Sequence, residues 1–371
     1  MEFRRSALEN VLMAVSVDKS QKPQKVFWHN KKVLVTGHTG FKGSWLAFWL
    51  HRMGAKVTGI SLPPSTSPNL FQALNLESSI DNHYCDIRDA DALKKIVIDD
   101  KPDIVLHLAA QALVRESYQA PLDTFSTNVM GTANLLDSLR DTESVKVAVL
   151  VTTDKVYKNK EWSYPYREND ELGGHDPYSA SKAAAELVIS SYRDAFLAEQ
   201  QVAIASARAG NVIGGGDWSD DRLIPDAVRA WESNQPLDIR SPNSTRPWQH
   251  VLEPLAGYLV LAEKLWHKPK LAGAFNFGPP ANESSSVKQV IELARTPYPK
   301  AQVNYGTVNS GPHEASALAL EIAKTHQLLS FQSTWNLAQS VNRSLNWYHQ
   351  FNLGEDATKL CEQDINAYES I

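Results

Sequence analysis

The chain has 371 residues, of which 43% are apolar and 21% charged, and its net charge is −5. This is the composition of a soluble globular protein, with enough apolar material for one large or two interleaved domains. The weak acidity excludes a global attraction for nucleic acid or a membrane surface, so any anionic ligand must be held by local groups.

Two cysteines, Cys85 and Cys361, are too few for a disulfide framework and point to a reduced cytoplasmic compartment. No apolar run approaches the ~20 residues that span a bilayer. Arg4 and Arg5 precede an apolar stretch, Val11 to Val17, that is short, includes Ser16 and runs into Asp18 and Lys19. Without a small-residue cleavage site, residues 1–24 read as a poorly ordered extension or upstream start and not as a signal peptide. Glu2 and Glu9 disfavour a mitochondrial-type presequence.

In chain order, KVLVT at 32–36 reads as a buried parallel strand ending at Gly37. Trp45 to Met53 is helical and stops at Gly54. Strands follow at 56–60, around HYCDIRD, at 103–108 and at 146–151, with helical patterns at 90–98 and 124–140 between them. This alternation predicts a parallel sheet with helices on both faces. A long helix is expected from Asp176-Pro177 to about Glu199, then a strand at 201–206. After about residue 210, Gly, Pro, Trp and polar residues cluster, helices are expected to shorten, and a smaller lobe of several segments is anticipated.

Gly37, Gly40 and Gly43 are spaced G-x-x-G-x-x-G between a strand and a helix. Such a loop lets the backbone approach a pyrophosphate at a helix N-terminus. The second strand ends in Ile60-Ser61-Leu62, without the acidic residue that commonly binds an adenosine ribose. Ser61 can serve a ribose hydroxyl, and no arginine stands there for a 2′-phosphate, so NAD is favoured over NADP. Asp86 is placed either to reach the adenine edge or to cap the helix that follows.

Tyr178 and Lys182 stand four apart in Tyr-Ser-Ala-Ser-Lys, on one helical face. A neighbouring ammonium and a positive nicotinamide would favour the phenolate, letting Tyr178 take a proton from a sugar hydroxyl. The strand at 146–151 ends in Thr152-Thr153-Asp154-Lys155, where a parallel sheet opens onto its ligand crevice. Thr153 is a candidate to hydrogen-bond the reacting hydroxyl, Asp154 a general acid and Lys155 a general base, provided the site moves both pKa values toward neutrality. The plainer reading of this segment is a turn with solvated charges.

These strings together resemble the extended short-chain dehydrogenase/reductase family over roughly residues 25–350. The resemblance is carried by TGHTGFKG at 36–43, HLAAQ at 107–111, TNVMGT at 127–132, TTDKVY at 152–157 and YSASK at 178–182. Within that family, GGHDPYSASKAAAELV (173–188), RAGNVIGGGDW (208–218), DRLIPD (221–226) and TRPWQHVLEPLAGY (245–258) are similar to nucleotide-sugar 4,6-dehydratases of the CDP-glucose branch.

The resemblance implies a Rossmann-type α/β fold with a doubly wound parallel sheet and a smaller C-terminal substrate-binding lobe. Residues 25–210 would bind NAD. Residues 211–371 would mostly form the nucleotide-sugar lobe, with some segments returning to the first domain. It implies cofactor contacts at Gly37, Thr39, Gly40, Phe41, Gly43 and Ser61, then at Asp86, Ile87, Leu108, Ala109 and Ala110, and at Tyr178 and Lys182. It implies substrate contacts at Gln111, Asn128, Asn211, Arg222 and Arg246, and no metal. For Arg222 and Arg208 a surface or structural ion pair is an equal alternative; His250 reads as a packing residue, and Trp218 could stack on a base.

The implied reaction turns CDP-glucose into its 4-keto-6-deoxy derivative, for deoxysugar biosynthesis of the kind that feeds lipopolysaccharide O-antigen. Tyr178 would start the oxidation at C4, Asp154 would protonate the departing 6-hydroxyl, and Lys155 would take the C5 proton. Related dehydratases that act on dTDP-glucose carry glutamate after the aspartate, so the lysine marks the CDP-glucose branch. The helices at 124–140 and 177–199 correspond to those that pair as a four-helix homodimer interface in the family. Two alternatives stay open: a 4-epimerase or reductase on another nucleotide sugar, and a catalytically silent NAD-binding protein.

Overall fold

The structure is a computed structural model that describes residues 21–306 and 316–371. Residues 1–20 of the expected N-terminal extension lie outside the described residues. Residues 21–24 do not fit the expected disorder: the Gln21 amide donates to the Ser330 carbonyl at 2.8 Å and the Gln24 amide to Glu263 Oε1 at 2.7 Å. Only the tertiary partners explain this, and they come from distant sequence.

The elements are β1 (Lys32–Thr36), α1 (Phe41–Arg52), β2 (Lys56–Ser61), β3 (Asp81–Tyr84), α2 (Ala90–Asp100) and β4 (Ile104–His107). A helix follows in three stretches, Pro121–Phe125, a π turn Ser126–Met130, and Gly131–Leu139, together α3. Then come β5 (Val147–Val151), α4 (Pro177–Tyr192), β6 (Ala203–Ala209), α5 (Leu223–Glu232), α6 (Leu252–His267), β7 (Gly273–Phe277), α7 (Leu337–Asn352) and α8 (Ala357–Glu369).

The seven strands form one parallel sheet in the order β7-β6-β5-β4-β1-β2-β3. Strand order reverses between β1 and β4, where Thr36 lies opposite His107, so a crevice opens at their C-terminal ends. Side chains alternate across the sheet. Val33 and Val35 face α1 and α6 through Trp45, Trp49, Leu255 and Leu259, whereas Leu34, Val105 and Leu150 face α2, α3 and α4 through Leu93, Leu135 and Ile189. Helix α4 starts where Asp176 Oδ1 accepts from the Ser179 amide, with Pro177 at the first turn.

The expectation that helices shorten after residue 210 is corrected: α6 and α7 each have 16 residues and α8 has 13. Helix α6 is buried on nearly every side, from Leu252 to Glu263, so it lacks the amphipathic stripe that marks a surface helix. It packs on β5 and β6, and β7 adds the seventh strand, so the chain returns to the sheet after residue 250. Short pairings build the remainder: Val212–Ile213 with Gln249–His250, Thr245–Arg246 with Ser285–Ser286, and Leu237–Ile239 with Val303–Tyr305. No helix among the described residues is long and apolar enough to cross a membrane.

Candidate active site

A cavity of about 1710 Å³ runs along the C-terminal ends of the strands and under the segments after β6. It exceeds the ~300–1,000 Å³ of an ordinary small-molecule pocket, which leaves room for two ligands side by side.

At one end lies the glycine loop. Gly37 adopts φ +76°, and a Cβ there would come within 2.7 Å of the Ala109 amide nitrogen. Gly43, in the first turn of α1, sits so close to the loop that a Cβ would lie 2.0 Å from the Gly37 carbonyl oxygen. Those two glycines satisfy backbone packing. Gly40 differs: a Cβ would meet only the Gly37 oxygen, at 3.5 Å, so its bare face serves the cavity it lines. Gly40 is the N-cap of α1, and no side chain caps that helix. Uncapped amides and the positive end of the helix dipole suit a diphosphate. The residues present therefore fit a dinucleotide.

Thr39, Phe41, Ser61, Asp86, Ile87, Leu108, Ala109 and Ala110 line the same end. The Ser61 hydroxyl is paired with Thr39 Oγ1 at 2.8 Å, and Thr39 also donates to the Leu62 carbonyl. Asp86 does not cap α2; Asp89 does, accepting from the Ala92 amide, and Asp86 instead pairs with Arg88 at 2.7 Å. That guanidinium holds the Asp86 carboxyl below its usual range.

The central part carries Thr153, Asp154, Lys155, Tyr178 and Lys182, all lining the cavity. Thr153 Oγ1 donates to Asp154 Oδ1 at 3.0 Å, while Asp154 Oδ2 is buried with no hydrogen-bond partner in the protein. Gly210 packs close to that oxygen, since a Cβ there would come within 3.1 Å of it. Burial raises the Asp154 pKa, opposed by Lys155, Thr153 and Arg246. Burial lowers the Lys155 pKa, opposed by Asp154. Both shifts run toward neutrality. These charges are enclosed, not solvated, so the plainer reading of an exposed turn is set aside.

Tyr178 departs from the sequence reading. Burial raises its pKa, with the Thr153 hydrogen bond and the Arg222 field acting in the opposite direction. The Lys182 ammonium donates to the Val151 carbonyl at 3.1 Å, and burial brings it down to about 8 against the pull of Glu186. The side chains alone therefore do not favour the phenolate; burial outweighs them.

At the far end, Gln111, Asn211, Arg222 and Arg246 line the cavity. Arg222 donates to the Ala112 carbonyl and Arg246 to the Thr245 carbonyl. Asn128, expected to contact the substrate, is buried and turns to protein partners. Its amide exchanges hydrogen bonds with the Gln111 backbone at 2.9 and 3.0 Å and donates to Ser181 at 2.8 Å, fixing the loop after β4 against α4. Arg208 forms a buried ion pair with Glu186, and His250 packs between Trp45 and Trp335. Trp218 packs on Trp347, Tyr348 and Phe351, with one edge at the cavity.

Sequence reasoning missed Lys42. It lines the cavity, donates to the Tyr258 hydroxyl at 3.2 Å, and is brought down to about 7 by burial and by the like charges of Lys182 and Arg222. The available signal was a lysine in the first turn of the helix that follows the glycine loop. Among the described residues, no group of three His, Cys, Asp or Glu is placed to hold a metal ion.

The family model described as GDP-mannose 4,6 dehydratase matches residues 34–344. CDP-glucose 4,6-dehydratase of Salmonella typhimurium is 44% identical over 352 residues, covering 93% of this chain and 98% of that protein. The UDP-glucuronic acid 4-epimerase of Bacillus cereus, solved with a substrate analogue and NAD, superposes with a TM-score of 0.75 at 25% identity, covering 86% of this chain and 99% of that one. The UDP-glucose-4-epimerase of Stenotrophomonas maltophila, solved with NAD, gives 0.76 at 19% identity over 88% and 100% of the two chains.

Proposed function

The chain belongs to the GDP-mannose 4,6 dehydratase family, and from that premise we propose that it is an NAD-dependent CDP-glucose 4,6-dehydratase. The observation that carries this reading is the meeting, in one cavity, of an oxidation pair and a dehydration pair: Tyr178 with Lys182, and Asp154 with Lys155. An epimerase or reductase needs only the first. The 44% identity with the Salmonella enzyme supports CDP-glucose over other nucleotide sugars.

When bound, NAD supplies a hydride acceptor that later returns the hydride. Tyr178, its phenolate favoured once the positive nicotinamide of bound NAD adds to the Lys182 ammonium, takes the proton of the sugar 4-hydroxyl. The resulting 4-keto group acidifies the C5 proton, which Lys155 removes, while Asp154, whose pKa burial raises, gives its proton to the departing 6-hydroxyl. Arg246 and Arg222 suit the substrate diphosphate, where charge-assisted bonds are strong. We read residues 25–210, together with α6 and β7, as the cofactor-binding unit.

The same reading includes a homodimer. Leu122, Phe125, Met130 and Leu187 expose large apolar surfaces on α3 and α4, 84% of Leu122 and 63% of Leu187, as a helix-on-helix interface requires. It also includes a reducing cytoplasmic compartment, consistent with two free thiols.

Isotope tracing tests the chemistry. Deuterium at C4 of CDP-glucose is expected at C6 of the product, with one solvent deuteron at C5 and no net NADH. Stoichiometric NADH release would refute the dehydratase reading in favour of a simple dehydrogenase. Base preference is a separate expectation. Cytosine presents a 4-amino donor where uracil and thymine present an acceptor, and a buried mismatch costs roughly 1–3 kcal/mol. The kcat/KM for CDP-glucose should exceed those for dTDP-glucose and UDP-glucose by about 10- to 100-fold. A ratio near one would remove the cytidine assignment and leave the dehydration intact.

A further inference from the structure

We infer that the buried Glu186–Arg208 pair is a positioning unit for the reaction: through the Thr152 hydroxyl it fixes the helix that carries Tyr178 and Lys182 against the turn that carries Thr153 and Asp154. The inference rests on the function proposed above.

Glu186 follows Lys182 by four residues and Tyr178 by eight, on the same face of α4. Glu186 is 5% exposed and Arg208 3%. Glu186 Oε1 accepts from Thr152 Oγ1 at 2.6 Å and from Arg208 Nε at 2.9 Å. Oε2 accepts from Ser206 Oγ at 2.7 Å and from Arg208 Nη2 at 2.8 Å. Arg208 Nη1 donates onward to the Tyr157 hydroxyl and the Glu168 carbonyl, each at 2.9 Å, and Tyr157 donates to Asn276 Oδ1 on β7 at 2.7 Å.

Neither member of the pair lines the cavity, so each acts through other groups. Stability alone does not require them, because well-packed apolar residues of similar volume often replace a buried ion pair without loss. What apolar residues cannot supply is a directional tie. Of the three residues that donate to Glu186, Ser206 and Arg208 stand on β6, while Thr152 opens the turn with Thr153 and Asp154. The hexose must meet Tyr178 from α4 and Asp154 from that turn together, and the Thr152–Glu186 bond sets the distance between them.

The same carboxylate faces Lys182 electrostatically. Around that ammonium stand the Val151 carbonyl, Lys42 and His107; His107 is pushed to about 3 and is neutral at pH 7, and Lys42 repels when charged. Glu186 is the carboxylate that holds the Lys182 proton on against burial. Removing its charge lowers the Lys182 pKa further. A lysine needed in its charged form loses its role as pH rises through its pKa, so the alkaline limb of activity must move to lower pH.

The experiment compares full-length Thr152→Val, Ser206→Ala and Glu186→Gln with the unaltered protein. Thr152→Val is expected to lower kcat about 10- to 100-fold with KM little changed, the scale of a ~1 Å misplacement. Ser206→Ala, which removes a bond to the same carboxylate from the sheet side, should keep kcat. Glu186→Gln should shift the alkaline limb of kcat downward. Independently of turnover, hydrogen exchange in residues 153–157 should quicken in Thr152→Val and not in Ser206→Ala. Unchanged kcat in Thr152→Val, equal losses in the two hydroxyl variants, or an unmoved alkaline limb in a folded Glu186→Gln protein would overturn the proposal. Failure of the functional reading shows differently, as no turnover of CDP-glucose by the unaltered protein, and the exchange comparison still decides the positioning role.

Discussion

Replacing Tyr178 with phenylalanine is expected to abolish oxidation at C4, whereas replacing Asp154 with asparagine is expected to leave that oxidation in place and stall the loss of water. The two side chains come from different elements, α4 and the turn after β5, and face the cavity together. Burial raises both pKa values. Asparagine keeps the size of Asp154 and can still accept from Thr153, but it has no proton to give to a departing hydroxyl. Losing a general acid typically costs about 10²–10⁴-fold. The phenylalanine variant should show no absorbance change at 340 nm on rapid mixing with CDP-glucose. The asparagine variant should show a transient that persists, and it should exchange hydride with C4. Equal loss of C4 oxidation in both variants would mean that the division of roles is wrong.

Glycine substitutions at the start of α1 should separate protein packing from cofactor contact. A Cβ on Gly43 would sit 2.0 Å from a backbone oxygen, where real contacts do not fall below 3.0 Å, so the helix and the loop must move apart. Gly43→Ala should therefore lower the melting temperature and abolish NAD binding together, since overpacking of this kind costs ~1–3 kcal/mol. Gly40→Ala meets only ordinary contact within the protein, at 3.5 Å. It should melt like the unaltered chain and still bind NAD more weakly. Calorimetry and NAD titration on the two variants provide the check. Undiminished NAD affinity in Gly40→Ala would place the diphosphate elsewhere.

Much of this site was legible from the sequence because its residues lie at strand ends, where local pattern and position coincide. Strands β1, β2, β4 and β5 announce themselves as short β-rich runs, and Gly37, Thr153 and Asp154 follow from them. What was not legible depended on contacts between distant segments. Asn128 sits in a recognisable string, but its amide turns to Gln111 and Ser181, a choice set by how α3 meets α4. Lys42 went unremarked because its partner Tyr258 lies 216 residues later. Helix α6 escaped notice because a helix buried all round has no polar face to give it a period. Tyr178 shows a limit of another sort: a helical Tyr-Lys spacing reveals who the neighbours are, but not how deeply they are buried.

The edge position of β7 bears on how the protein is made. Strand β6 is buried along its whole length, and β7, which closes it from residues 273–277, is separated from it by the entire stretch that includes α5 and α6. During synthesis at ~5–20 residues per second, the first six strands leave the ribosome well before their outermost partner does. For that interval β6 offers an unpaired ladder of amides and carbonyls, the kind of edge that recruits other chains. Domain-by-domain folding is thus closed to this molecule. A fragment ending near residue 210 should aggregate, and the segments that recognise the substrate must emerge before the sheet can be completed.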